Sequence, residues 1–474
     1  MFILLEYAMF GTLMTVNLCL GLYFSFFRLT GKVTTDEMFL GSRTLRTIPL
    51  GVSVVASIMS ALGIVSFTGY HYTYGIHLTW ASLTFILMLP FLVYIVIPVF
   101  YNLRVVSVFQ YVRMRYNVYI ELVSCAIYFC LTQSIGALAI FASSVAVSTV
   151  FQLPLIWSSL TIGLTGTVYT AMGGLRGVVW TDCMQAAIML LAPATIIIKI
   201  IHDSGQNDTK LGPLSDIPLK RHIFDTSFDI TKDENVWSCL VGLFALQMYR
   251  VGLDQMIMQR YLAARSLEDA QRTACVGTIL MSFAFIYLSV LAMALFYWFR
   301  DCDPLLTGEI THIDQLVPFY VNKYLTRIPG FSGVFLAGVV GSSTSTISSL
   351  INSQAAICYV DIISRVIRLS EDQATHVTRA VAFAAGIIMT LLSLVVPYLG
   401  SASRVMLTVY TGLTGPFVGL ILLALNCYYM NIRGGAGLAT ILTISFQLWH
   451  MYQRYQAATE PLRMSVTIDH CPEN

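Results

Sequence analysis

Charge is scarce in this chain. Only 11% of its 474 residues are acidic or basic, whereas an average soluble domain has about 25%. With 57% hydrophobic residues, no polar shell can be drawn around the apolar mass, so lipid must be its solvent. A formal net charge of +2 leaves no electrostatic footprint for a polyanion, which excludes a nucleic-acid binder. The 10 cysteines carry no C-x-x-C and no Cys/His spacing suited to zinc. Most lie inside apolar runs, where a reduced thiol behaves as a small hydrophobe. Neither G-x-S-x-G nor H-E-x-x-H occurs, and no carboxylates are paired within an apolar run. The nucleophile or metal-bound base of a membrane enzyme is therefore missing.

What is present is apolar length. Continuous hydrophobic stretches run over 5–27, 48–70, 76–101, 120–150, 155–171, 178–201, 236–253, 273–299, 329–360, 377–398, 402–428 and 435–452. A crossing helix needs about 20 such residues, and backbone groups in hydrocarbon must be paired within their own segment. The expected fold class is therefore all-α, a polytopic membrane helical bundle. The first stretch carries Glu6 and no Lys or Arg, so it lacks the basic region of a signal peptide. Arg28 and Lys32 follow it instead, which by the positive-inside rule puts the N-terminus outside. Short inside loops then hold Arg28, Lys32, Arg43, Arg46, Arg104, Arg113, Arg115, Arg176, Arg260, Arg265, Arg272, Arg365, Arg368, Arg379 and Arg433. The acidic segment 202–235 falls outside, and within it Asn207-Asp208-Thr209 is a glycosylation acceptor sequence. Cys239, Cys302 and Cys471 also lie at or near the outer face, where either a disulfide or three separate thiols would be at home. His71 and His77 flank an outer loop and read as surface residues.

Polar residues inside apolar runs are the informative ones in a membrane protein. The densest group is Ser342-Ser343-Thr344-Ser345-Thr346-Ile347-Ser348-Ser349, followed by Asn352-Ser353. Positions 342, 345, 346 and 349 share one helical face. Neutral hydroxyls can offer lone pairs to a small hard cation, or each can simply bond back to its own helix. A second run, Ser53, Ala56, Ser57, Ser60, Ala61 and Gly63, suits close helix packing, and equally a broken helix whose unwound carbonyls face mid-membrane. Arg250 stands within the stretch 236–253. An intramembrane Arg costs about 2.5 kcal/mol or more and is by default functional. It could hold a substrate carboxylate bidentately, pair with Asp254 at i+4, or snorkel to the cytoplasmic end. Gln133, mid-stretch at 120–150, could face a substrate or make an interhelical hydrogen bond.

Tyr169 through Asp182 reads Y-T-A-M-G-G-L-R-G-V-V-W-T-D, and Gln255 through Leu262 reads Q-M-I-M-Q-R-Y-L. Together with the hydroxyl-rich 342–353, these segments resemble signatures of the sodium/solute symporters, and the resemblance extends over nearly the whole chain. Ser60-Ala61, Gly63-Ile64-Val65 and Asp301-Cys302-Asp303-Pro304 are similar to the branch that carries monocarboxylates and water-soluble vitamins. Ile58, Leu62 and Gly63 stand where sugar carriers place polar residues, which disfavours a sugar. Two departures stand out. The branch usually has an uncharged residue in place of Arg250 and Asn in place of Asp254. Residues 459–474 resemble an outer loop from which relatives continue into a further helix, so the terminus is expected outside or the chain is a shortened form.

The resemblance implies a leucine-transporter-like core of five-plus-five inverted repeats with peripheral helices. Residues 1–47 would form an extra helix and loop, and 48–398 the transport core. That core divides into a first repeat at 48–201, an extracellular loop at 202–235 and a second repeat at 236–398. Residues 399–474 would add two peripheral helices and a tail. The resemblance also implies sodium as the coupling ion, held by carbonyls of Ala56, Met59 and Ser342 and hydroxyls of Ser345 and Thr346. Asp182 would help sodium leave near the cytoplasmic mouth, or else balance Arg176 and other loop cations. Ser57, Ser60, Phe67, Gln133 and Arg250 would line the substrate pocket. The implied activity is sodium-coupled import of a small organic solute, an anionic monocarboxylate or a vitamin, across the plasma membrane by alternating access. A sodium-leak channel or solute sensor of the same fold is the rival.

Overall fold

Amides placed in hydrocarbon find no water, so each long apolar run closes its hydrogen bonds internally and becomes a helix. The computed structural model describes residues 2–26, 35–173, 175–205, 222–229, 232, 234–326, 328–426, 433–457, 461–469 and 471. The main helices begin with α1, Phe2–Phe26. Helices α2, Thr47–Ile58, and α3, Leu62–Tyr74, form one span bent by 57°. Helices α4, His77–Asn102, α5, Val118–Phe151, α6, Leu155–Gly173, and α7, Leu175–Ser204, follow. A second helix break, at Asp254, separates α8, 238–253, from α9, Gln255–Leu262. The rest are α10, Leu267–Phe299, α11, Phe331–Val366, α12, Glu371–Tyr398, α13, Ala402–Asn426, and α14, Arg433–Ala457. Over the described residues the apolar stretches read from the sequence are helical, with the break at Met59–Ser60 inside the second. Among the described residues 7 helices are long and apolar enough to cross a membrane unbroken, and the bent α2–α3 pair makes 8.

Helix α11 is the hub. It is buried along almost its whole apolar length and is flanked by α1, α2, α5, α6, α7 and α12. The outer helices instead expose Leu87 and Tyr94 on α4, Trp157 on α6, Leu191 and Ile198 on α7 and Phe283 on α10, a belt that lipid would cover. Small residues decide how near α2 comes to α10. A Cβ on Gly51 would lie 2.7 Å from Val276, and one on Gly277 would lie 2.9 Å from Val54. Part of the small-residue character of α2 thus serves close approach.

One open question is resolved here and two expectations change. Cys302 and Cys471 are joined, with Cα atoms 4.9 Å apart, while Cys239 packs separately among Tyr70, Tyr74 and Leu78. The bond ties down a tail whose Met464 amide donates to the Thr73 carbonyl at 2.7 Å and whose Thr467 amide donates to the Arg300 carbonyl at 2.7 Å. His71 and His77 are 2% and 4% exposed, not surface residues, because the segment at His222–Ile223 and the tail at Met464 pack over the end of α3. Arg260 is 0% exposed and belongs to the core rather than to an inside loop. Its helix, α9, is too short and polar to register as apolar, yet every one of its residues is buried in the bundle. Asn207, Arg28 and Lys32 lie outside the described residues.

Glu6 finds a purpose in packing. From α1 it accepts the Gly330 and Gly333 amides at 2.9 and 2.6 Å, at the start of α11, where unpaired amides and the positive dipole end gather. Glu6→Ala strips both acceptors and should cost about 1–3 kcal/mol, read as a lowered unfolding midpoint of the detergent-purified chain. Glu6→Gln, which keeps one oxygen acceptor, should fall between. An Ala variant as stable as the parent would remove the cap from the account.

Candidate functional site

A helix that stops inside a membrane leaves its last carbonyls without partners. Helix α2 stops at Ile58, and Met59 leaves the helical region with φ −88° and ψ 86°. Four carbonyls need donors, and three find one of their own. Val55 accepts from the Met59 amide at 2.8 Å. Ser57 accepts from the Thr346 hydroxyl at 2.8 Å, while Ala56 lies 3.1 Å from the Ser345 hydroxyl, whose single proton also faces Asp182 at 2.6 Å. Ile58 accepts from Nη2 of Arg250 at 2.7 Å. The chain restarts where the Ser60 hydroxyl accepts the Leu62 amide at 3.2 Å. Two hydroxyls of α11 and one guanidinium of α8 therefore hold the break open.

The second break mirrors the first. Asp254 is extended, with ψ 123°, and caps α9 by accepting the Met256 amide at 2.9 Å. The Tyr128 hydroxyl donates to the same carboxylate at 2.9 Å. No ion pair joins Asp254 to Arg250 among the described contacts, so the i+4 pairing open in the sequence does not form. Arg250 lies instead against the Tyr410 ring, 5.8 Å from its centroid.

Beneath the first break lies a buried polar centre. Arg260 donates to Asp182 at 3.0 Å, Ser53 at 2.7 Å, Ser57 at 2.5 Å, Ser349 at 2.6 Å and the Met256 carbonyl at 2.6 Å. Asp182 also accepts from Ser53 at 2.5 Å and from Ser345 at 2.6 Å. Both charged side chains are wholly enclosed. Such a pair survives burial only when its remaining donors and acceptors are satisfied, as they are here. Asp182 does not balance Arg176, which pairs with Glu37 at 2.8 Å.

The hydroxyls of α11 divide between the two roles open to them. Ser342, Thr344 and Ser348 bond back to their own helix through the carbonyls of Val339, Val340 and Ser345. Ser343 reaches Ala139 of α5 at 2.7 Å. Ser345, Thr346 and Ser349 point across to α2, and the Ser342 carbonyl accepts from Thr346 at 3.2 Å. The Ala56 carbonyl thus touches the Ser345 hydroxyl, and the Ser342 carbonyl the Thr346 hydroxyl, as two oxygen pairs on neighbouring turns of α11.

Next to these pairs is a cavity between α3 and α8. Ser60, Gly63, Phe67 and His71 line one side, Gln247 and Arg250 the other, and Met59 and Thr346 its floor. Most of the remaining wall is apolar. Ser60, Phe67 and Arg250 of the expected pocket are present. Ser57 lies instead in the Arg260–Asp182 centre. Gln133 bonds Gln354 at 2.8 Å and the Ala385 carbonyl at 3.2 Å, an interhelical bond away from the cavity. Sequence reasoning missed Arg260, His71 and Gln247.

A bundle in which two broken helices meet beside a polar centre and a cavity is the architecture of a secondary transporter. The family model for the sodium:solute symporter family matches residues 38–442, and the chain belongs to that family. It is a transporter of a small-molecule substrate in a multi-span membrane bundle, not an enzyme, with sodium as the coupling ion of its family. It is 27% identical to sodium-coupled monocarboxylate transporter 2 of Mus musculus over 477 residues, 99% of this chain and 76% of that one. It is 26% identical to a putative sodium-dependent multivitamin transporter of Drosophila melanogaster, covering 94% of this chain and 74% of that one. Its fold matches a substrate-bound, outward-open sodium-coupled sialic acid symporter with a TM-score of 0.78 at 21% identity, over 98% and 99% of the two chains.

Removing one member of a buried ion pair leaves the other charge stranded, at a cost of about 3–5 kcal/mol. Arg260→Gln and Asp182→Asn should each lower the thermal midpoint sharply. The double variant should be less damaged than the sum of the singles. Additive losses in that double-mutant cycle would show that the two charges are not coupled.

Proposed function

We propose that this chain imports a small carboxylate-bearing solute, a monocarboxylate or a water-soluble vitamin, together with sodium across the plasma membrane. The observation that carries the reading is Arg250. It is the cation among the residues lining a largely apolar cavity, and it spends one donor on Ile58 at the helix break. A guanidinium has five donors in a planar fork, so enough remain to grip a carboxylate bidentately. The names of the relatives, monocarboxylate and multivitamin transporters, support the same class.

Sodium would be held where the carbonyls of Ala56, Met59 and Ser342 meet the hydroxyls of Ser345 and Thr346. Hard oxygen donors without net charge suit a monovalent cation that must also leave. Asp182, one hydrogen bond from Ser345, would draw the ion toward the exit, and Arg260 would hold that carboxylate in place. Repeats at 48–201 and 236–398 would rock about this centre, with the N-terminus outside. Coupling requires sodium to prefer one conformation, and fixing the carbonyl end of α2 supplies a reason for such a preference. A second co-transported sodium would make uptake of an anion electrogenic, at about 2.3 kcal/mol per charge for each 100 mV.

A leak channel or solute sensor would show sodium current without saturable flux. Uptake of a panel of labelled carboxylates, with sodium replaced by choline, separates the readings. Thr346→Ala and Ser345→Ala should raise the sodium half-saturation at least about tenfold, as expected when a bond to a charged species worth about 1.5–3 kcal/mol is lost. Arg250→Gln should abolish saturable anion uptake at unchanged surface expression. Unaltered sodium dependence in both alanine variants would overturn the ion site, and unaltered affinity in Arg250→Gln would overturn the carboxylate clamp.

A further inference from the structure

Two stripes face each other across the cavity. Gly63, Phe67 and His71 recur at every fourth position on α3, while Leu243, Leu246, Gln247 and Arg250 follow a helical spacing on α8. Arg250 marks the end at the helix break through its bond to Ile58. His71 marks the far end, two turns beyond Gly63, or about 12 Å along a helix that rises 1.5 Å per residue.

His71 is 2% exposed, and neither of its ring nitrogens has a hydrogen-bond partner. Buried polar atoms are nearly always paired, and an imidazole brings a donor and an acceptor that together recognise one hydroxyl, amide or ureido group. Its ring is stacked edge-on near Tyr70, 6.4 Å between centroids, which fixes the side chain without satisfying either nitrogen. The wall between the two ends is Phe67, Ile135, Leu243, Leu246 and Phe285, which offers dispersion contacts and nothing to a second charge. The Oε1 atom of Gln247, one turn from Arg250, is also buried without a partner.

We propose that His71 is a specificity-determining residue that hydrogen-bonds the end of the substrate remote from its carboxylate. The substrate is then an extended monocarboxylate with an apolar body and a polar, uncharged tail group, rather than a short acid or an inorganic anion. This rests on Arg250 as the carboxylate clamp, so the test separates the two. Proteoliposomes of the full chain, driven by an inward sodium gradient, are assayed for choline-corrected uptake of labelled octanoate and 8-hydroxyoctanoate. These acids differ only in the terminal hydroxyl.

The parent should favour the hydroxy acid about 3- to 10-fold in half-saturation, the worth of one neutral hydrogen bond. His71→Leu should erase that preference by weakening the hydroxy acid alone, and His71→Gln, which keeps a donor and an acceptor, should retain most of it. A structural role for His71 would weaken both acids equally, and that result, like an unchanged ratio in His71→Leu, overturns the proposal. Arg250→Gln should lose both acids. Persistence of both in Arg250→Gln would refute the clamp while leaving the His71 comparison intact, and failure of the parent to take up either acid would overturn both.

Discussion

The structure depends on one constraint, that a helix broken in mid-bilayer must dispose of carbonyls that water cannot reach. At Ile58 the chain meets it with side chains from two other helices. Thr346 of α11 takes the carbonyl of Ser57, Ser345 shares its proton between Ala56 and Asp182, and Arg250 of α8 takes the carbonyl of Ile58. An unpaired carbonyl in hydrocarbon costs several kcal/mol, so each of these three groups stabilises the break. The same geometry brings ion-competent oxygens and an anion-competent cation against adjacent residues of one helix end. Ion and solute would then alter the same few hydrogen bonds, and coupling needs no distant relay.

The second layer beneath this end explains its rigidity. Arg260 gathers hydroxyls from α2 and α11 and the carboxylate from α7. Four helices thereby share one cation, and any tilt of α2 must dismantle several of its bonds together. A buried network satisfied at every member favours two discrete arrangements over a continuum. That is the property alternating access requires.

Much of this was legible in the residues. Seven hydroxyls in eight positions exceed what packing asks for, and the face 342, 345, 346 and 349 lies where α2 crosses α11. Arg250 was visible because charge inside an apolar run is expensive. Helix α9 was not visible. Its Gln255, Gln259 and Arg260 look like loop residues until their partners are known, and those partners come from distant points in the chain. Gln255, for example, exchanges hydrogen bonds with Val106 and Val108 at 2.8 Å. His71 was misjudged for a related reason, since a polar residue near a span end is exposed or enclosed according to what packs above it. Its fourth-residue spacing from Gly63 and Phe67 was the available signal. Glu6 was read only for what it excluded, because a helix N-terminus more than 300 residues away leaves no local mark.

The central claim is that sodium acts on the broken end of α2. The most direct test follows a cysteine placed there, Ser60→Cys, in a chain whose exposed Cys19 and Cys130 are replaced by serine. Labelling by a membrane-impermeant thiol reagent from outside should depend on sodium in that background, and the dependence should vanish when Thr346→Ala is added. Identical labelling in sodium and choline, with Thr346 in place and transport still sodium-driven, would contradict the account.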